Sequence, residues 1–288
     1  MRLGVNLPYD EAVKFDDGLL VTTINTLAAA GIRGCLTNFV NDEKQWEAIS
    51  KKLIKRLDEG GMALLEYNAP FFIPTTSRDT VKKEAEKFVR LLAISENIGC
   101  LSVGTCAMGP NSIYPHPANR TPGAYDILKQ TCELIARDAQ RLGLRARLEI
   151  EVVYTTLLGT PREVADFVDE IASPNIQGHM DIVNCLTLDN VFDHADYIKE
   201  AFRVMKGRFY SAHIKDVRPV RSYLPGIEIA PLGEGCLDLK TYLQCLAELP
   251  ATFPAVIEHI DTVQESIEAY RRVKNLCMEL GMETWGDG

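Results

Sequence analysis

The chain has no tract of lysine and arginine, and its formal net charge is −9 over 288 residues. A sequence-independent grip on nucleic acid needs clustered cations, so no nucleic-acid partner is expected. Long apolar runs are missing too. No stretch approaches the ~18 consecutive apolar residues that a membrane-spanning helix requires, and the N-terminal MRLGVNLPYD lacks the apolar core of an export signal. A cytoplasmic location with no membrane partner is therefore expected. Cysteine is present at positions 35, 100, 106, 132, 185, 236, 245 and 277, but no two form a CxxC pair, and segments such as LQCLAEL read as reduced core. The segment LGVNLPYD also lacks the glycines of a dinucleotide-binding turn, which argues against a doubly wound nucleotide fold.

What the sequence does have is a repeated alternation of short apolar runs with longer amphipathic segments, uninterrupted by any low-complexity linker. Eight runs read as strands: Leu3–Asn6, Ile32–Thr37, Ala63–Asn68, Cys100–Thr105, Arg147–Val152, Ile176–Asp181, Tyr210–Ile214 and Ala255–His259. Helical punctuation follows them. DEKQWEAISKKLIKRLDEGG closes on a glycine pair, and TPREVADFVDEI opens with Thr160 as N-cap and Pro161 at the first helical position. Eight βα units in 288 residues match an α/β fold of one domain, a single (β/α)8 TIM barrel spanning residues 1–288, with its site at the C-terminal ends of the strands. Two loops at that end are long enough to cover a substrate, CAMGPNSIYPHPANRTPGAYD and KDVRPVRSYLPGIEIAPLGEG.

Within this pattern RLEIEVV is anomalous, because a buried strand carries two carboxylates. Side chains alternate, so Glu149 and Glu151 share the face opposite Leu148, Ile150 and Val152. Strand six then ends at Asp181, strand seven at His213 and strand eight at Glu258. Three carboxylates and an imidazole aimed at one point repel unless a cation lies between them, and mostly oxygen donors suit Mn²⁺, Mg²⁺ or Co²⁺. Glu151, nearer the C-terminal end, is the expected ligand. Glu149 is expected one layer deeper, paired with Arg147 or Arg33, so that Glu149→Gln should cost stability. His179 is expected below the metal as a core histidine, His194 on an exposed helix, and His259 facing away from Glu258.

The segments LEIEVVYTTLLGTPREV, HMDIVNCLTLDNVFD, SAHIKDVRP, IAPLGEGCLDLKTYLQCLAEL and AVIEH resemble the xylose isomerase-like TIM-barrel superfamily of sugar phosphate isomerases and epimerases. The resemblance implies a single divalent metal, Mn²⁺ foremost, held by Glu151, Asp181, His213 and Glu258. The chain departs from the three-zinc endonuclease IV pattern of the same superfamily. Asn68, Thr105, Asn184, Ile227 and Ile229 stand where that pattern has further ligands, and Asn184 also replaces a histidine common in ketose 3-epimerases.

A divalent ion with open positions can chelate adjacent carbonyl and hydroxyl oxygens and acidify the neighbouring C–H. Glu151 and Glu258 would then exchange the proton through an enediolate. The expected function is a metal-dependent isomerase or epimerase of a sugar, keto-sugar or cyclic polyol; a dehydratase or lyase on a similar substrate and a non-catalytic barrel subunit are the alternatives. Lys215, Arg218, Asn184 and His116 are expected to contact this small carbohydrate, with Arg221 beside Arg218. Pairing into a homo-oligomer is compatible with the pattern.

Overall fold

The computed structural model describes residues 1–7, 16–109 and 114–285; residues 110–113 of the first long loop and the end of LGVNLPYD lie outside them. Eight parallel strands form one sheet: β1 (Arg2–Asn6), β2 (Gly34–Asn38), β3 (Ala63–Asn68), β4 (Ser102–Thr105), β5 (Arg147–Glu151), β6 (Ile176–Met180), β7 (Phe209–Ile214) and β8 (Pro254–Ile257). Their order, β3-β2-β1-β8-β7-β6-β5-β4, places β3 and β4 at the two edges. The seam is closed by Ala69 N–H donating to Gly104 O at 2.9 Å. A helix follows each strand among the described residues: α1 (Asp17–Ala29), α2 (Trp46–Glu59), α3 (Val81–Asn97), α4 (Pro122–Arg141), α5 (Pro161–Ile171), α6 (Ala195–Met205), α7 (Leu239–Ala247) and α8 (Val263–Glu279). The fold is a (β/α)8 TIM barrel.

Local chemistry sets these boundaries. Thr160 Oγ1 accepts from Glu163 N–H at the start of α5, with Pro161 in the first turn, and Thr262 with Glu265 forms a reciprocal capping box on α8. Gly61 leaves α2 at φ 66°, a left-handed conformation that favours glycine.

Alternation sorts the strand side chains into two layers. Leu3, Val5, Leu148, Ile150, Ile214 and Ile257 face outward into the main core beneath the helices, while Leu36, Leu65 and Val256 form a small apolar plug inside the barrel. Gly4 and Gly34 make room for that plug, since a Cβ on Gly34 would stand 2.5 Å from Leu65 Cδ1. The β2–β3 register shifts between Cys35 and Leu36, so that Leu36 pairs with Glu66. Leu65 and Glu66 therefore both turn toward the axis, and Tyr67 returns to the outer core.

The C-terminal loops are tied down by named contacts. After β7, Asp216–Pro219 pairs antiparallel with Ile227–Ala230. The Asp216 carboxylate at its root accepts from four backbone N–H groups, those of Val217, Gly233, Gly235 and Leu237, at 2.8–3.0 Å. In the first long loop Ala107–Met108 pairs with Ile73–Pro74, and Asn119 Nδ2 donates to Tyr114 O and Thr155 O, joining this loop to the one after β5.

Candidate metal centre

Four neighbouring strands deliver one acidic pit. Glu151 is the last residue of β5, Asp181 and Glu258 each follow the end of β6 and β8, and His213 is the penultimate residue of β7. One donor atom from each lies within 4.8 Å of the others. Donors at ~2.0–2.6 Å from a shared hard cation stand no farther apart than about that. His213 Nδ1 is 3.2 Å from Glu258 Oε2, 3.4 Å from Glu151 Oε1 and 3.5 Å from Asp181 Oδ2, yet it makes no hydrogen bond. A buried imidazole nitrogen surrounded by carboxylate oxygens without bonding to any of them fits a position for a divalent ion.

The ligands are held from outside the pit. Asn184 Nδ2 donates to Glu151 Oε1 at 2.9 Å and its backbone N–H to Asp181 Oδ1 at 3.2 Å, so one residue of the β6–α6 loop orients two carboxylates. Cys106 Sγ–H donates to Glu151 Oε2 at 3.4 Å, and Tyr242 O–H to His213 O at 2.7 Å. Exposure divides the set: Asp181 and His213 side chains are 1% exposed, but Glu151 and Glu258 are 17% and 18% exposed. Only the two glutamates can both reach the pit and meet a substrate.

Beneath the pit lies a second, wholly buried polar layer centred on Glu66, a residue absent from the sequence-based candidates. Its Oε2 faces His179 Nε2 at 3.2 Å and accepts from Ser211 Oγ at 3.1 Å; its Oε1 stands 3.3 Å from His213 Nε2. Burial opposes ionisation of Glu66, but the adjacent His179 and His213 outweigh it and hold the carboxyl well below its usual range. The Glu66 carboxylate on the Nε2 side faces the imidazole from below, with Nδ1 turned to the pit, an arrangement that orients metal-binding histidines. The signal was available in ALLEYN, a second apolar strand carrying a carboxylate, which alternation places on the same face as Asn68.

Glu149 belongs to this layer and corrects one expectation. It is fully buried and bonded to Ser211 Oγ at 2.6 Å, whereas Arg147 lies over the Tyr210 ring and Arg33 donates to the carbonyls of Ala28 and Ile32. Burial, and then the charge of Glu66, push its carboxyl up to about 7. The Ser211 hydroxyl thus stands between the two carboxyls and links them, bonded to Glu149 Oε2 and to Glu66 Oε2.

The other candidates fall in different places. Lys215, 3% exposed, is turned into the pit, where its ammonium meets Asp181 Oδ2, lies 2.6 Å from Glu258 Oε2 and 3.7 Å from Glu151 Oε1. Burial opposes its charge, but these carboxylates hold its pKa well above the ordinary value. Arg218 donates to Glu228 at 2.8 Å across the exposed hairpin, and Arg221 is exposed at the hairpin's end. His116 Nδ1 accepts from Ala118 N–H and caps the short helix Pro117–Arg120. His179 lies buried below the pit. His194, expected on an exposed helix, is 4% exposed at the N-cap of α6, where Nδ1 donates to Val191 O and Nε2 accepts from Asp238 N–H. His259, expected to face away, lies with Nε2 3.6 Å from Glu258 Oε2. Strand β8 has ended at Ile257, and a left-handed backbone at His259, φ 58°, breaks the alternation on which that expectation rested.

The sequence profile of the xylose isomerase-like TIM barrel matches residues 24–276. The chain belongs to this family. Among solved structures, a xylose isomerase-like TIM barrel protein from Mycobacterium smegmatis in complex with magnesium is similar over 96% of this chain and 97% of its own, with 15% identity and a TM-score of 0.71. The 3-keto-D-glucoside 4-epimerase of E. coli is similar over 97% of this chain and 99% of its own at 14% identity, TM-score 0.71. An L-ribulose 3-epimerase is similar over 97% of both chains at 15% identity, TM-score 0.71. At these identities the likeness is one of fold. No curated protein sequence matches the chain. No described helix is long and apolar enough to cross a membrane.

Proposed function

We propose that this family member is a divalent-metal-dependent isomerase or epimerase acting on a sugar, keto-sugar or cyclic polyol. The observation that carries the reading is the donor set Glu151, Asp181, His213 and Glu258, brought within 4.8 Å around an unpartnered imidazole nitrogen. Solved neighbours of the same fold that are named as sugar epimerases support it. A divalent ion bound here would hold adjacent carbonyl and hydroxyl oxygens of the substrate and make the C–H between them acidic; Mn²⁺, Mg²⁺ and Co²⁺ all suit these donors.

The chain's own groups do the rest. Asp181 and His213 are sealed and serve only to bind. Glu151 and Glu258 reach the open side from β5 and β8; one takes the proton and the other returns it, on the same or the neighbouring carbon. Asn184 fixes the Glu151 oxygen that would otherwise rotate away from the substrate. His259, half-exposed beside Glu258, borders the same opening, and Lys215 supplies a cation for a substrate oxygen once it leaves the carboxylates. His116 and Arg218, on the two covering loops, would make outer contacts to the sugar.

The test is wash-in of solvent deuterium at a substrate C–H across a panel of ketoses and inososes, with and without Mn²⁺. Metal-dependent exchange with unchanged composition is expected on at least one member. Exchange on none would remove the reading, and loss of water or a carbon–carbon bond would reassign the site to a lyase.

A further inference from the structure

Lys215 is in an unusual place for a residue expected to greet substrate. It directly follows the end of β7, two residues beyond His213, and its side chain is turned back among the ligands rather than out toward the opening. Three carboxylates of the pit are within 4 Å of its ammonium. The charge arithmetic explains why. Without a cation, the carboxylates of Glu151, Asp181 and Glu258 would face one another across one buried space beside the His213 imidazole, and like charges at such range repel. One ammonium at their centre removes most of that repulsion. The same position lies within the space that a divalent ion held by these residues would enter, because the ammonium meets Asp181 and Glu258, two of its expected ligands.

We propose that Lys215 is the resident counter-ion of the metal-free site, and that a divalent ion binds by exchange with it, releasing the ammonium toward the substrate cavity. This rests on the metal-site reading above and adds a mechanism of loading to it. The space for the released side chain is present: a cavity of about 400 Å³ adjoins the pit, lined in part by Lys215, Glu258, His259, Asp261 and Arg272. Loading therefore does two things. It replaces one positive charge by two, and it delivers Lys215 to the place where a substrate hydroxyl or carbonyl oxygen would sit. Metal and substrate binding become coupled through one side chain, since substrate finds its cationic contact only when the ion is in. The site also has a reason to stay assembled without metal, instead of opening under its own charge.

The experiment uses the metal-stripped full chain, its Lys215→Met and Lys215→Gln variants, and Glu151→Gln as a control. Mn²⁺ and Mg²⁺ binding are measured by calorimetry, and unfolding midpoints are recorded with and without ion. Exchange predicts that both Lys215 variants bind the ion at least ~10-fold more tightly than the parent, since no ammonium must be displaced, and that the metal-stripped variants unfold several degrees lower. Tight binding by the variants with none by the parent supports the proposal as well. Equal or weaker affinity in both variants, with the parent binding the ion, overturns the exchange while leaving the metal site standing. Absence of binding in parent and Lys215 variants alike overturns both readings.

Discussion

At the scale of single residues, Glu149 makes the most distinctive statement about this barrel, because its carboxyl keeps a proton at pH values where an ordinary one has lost it. Its titration lies near 7 in the folded chain against 4.5 for an unperturbed glutamate. Below about 4.5 both states hold the proton and above about 7 neither does. Between these values only the folded state binds it, so stability falls as pH rises through the window. Glu149→Gln keeps a neutral side chain able to meet Ser211 and should flatten that fall, gaining on the order of 1–3 kcal/mol at pH 8. This reverses the loss expected from sequence, where a salt bridge to Arg147 or Arg33 was foreseen. Denaturant midpoints of the two proteins at pH 5 and pH 8 decide it; an equal loss at both values would restore the ion-pair picture. Glu66 is the complementary case. Glu66→Gln removes the carboxylate that faces His213 Nε2, and metal affinity should weaken ~10–100-fold with all four ligands unchanged. Calorimetry on the folded variant checks this, and an unaltered affinity would deny Glu66 its positioning role.

At the scale of elements, the loop after β7 depends on one side chain. Asp216 gathers four backbone N–H groups, one from the start of the hairpin and three from the turn that follows it. Asp216→Ala should cost on the order of 2–4 kcal/mol and expose the hairpin end, residues 220–226, to proteolysis. Limited digestion of parent and variant, with unfolding midpoints alongside, is the check; an unchanged cleavage rate would mean that strand pairing alone holds the hairpin. The same element scale shows how far the sequence could be read. All eight barrel strands were legible because each is a short apolar run bounded by helix punctuation, and their ends placed Glu151, Asp181, His213 and Glu258 on neighbouring strands. Strict alternation failed where the backbone departs from it. A left-handed residue after β8 misdirected His259, and the register shift beside β3 turns Leu65 inward next to Glu66. Lys215 was legible as a site residue, but its turn into the pit depends on charges from three other strands, which no local pattern contains.

At the scale of the whole molecule, the barrel divides its labour by depth. An apolar plug of Leu36, Leu65 and Val256 and the polar layer Glu66–His179–Ser211–Glu149 share the interior, and the acidic pit opens at the C-terminal ends of the strands. The pit thus rests on a wholly buried polar layer, and its partly exposed glutamates, Glu151 and Glu258, are the ligands nearest the opening. The central claim is that Glu151, and not Glu149 two residues deeper, shares an ion with Asp181, His213 and Glu258. The most direct measurement is the divalent-metal stoichiometry of the purified chain and of its Glu151→Gln and Glu149→Gln variants after equilibration with Mn²⁺. The account predicts one ion per chain in the parent and in Glu149→Gln, and none retained by a still-folded Glu151→Gln. Retention by Glu151→Gln with loss by Glu149→Gln would contradict it.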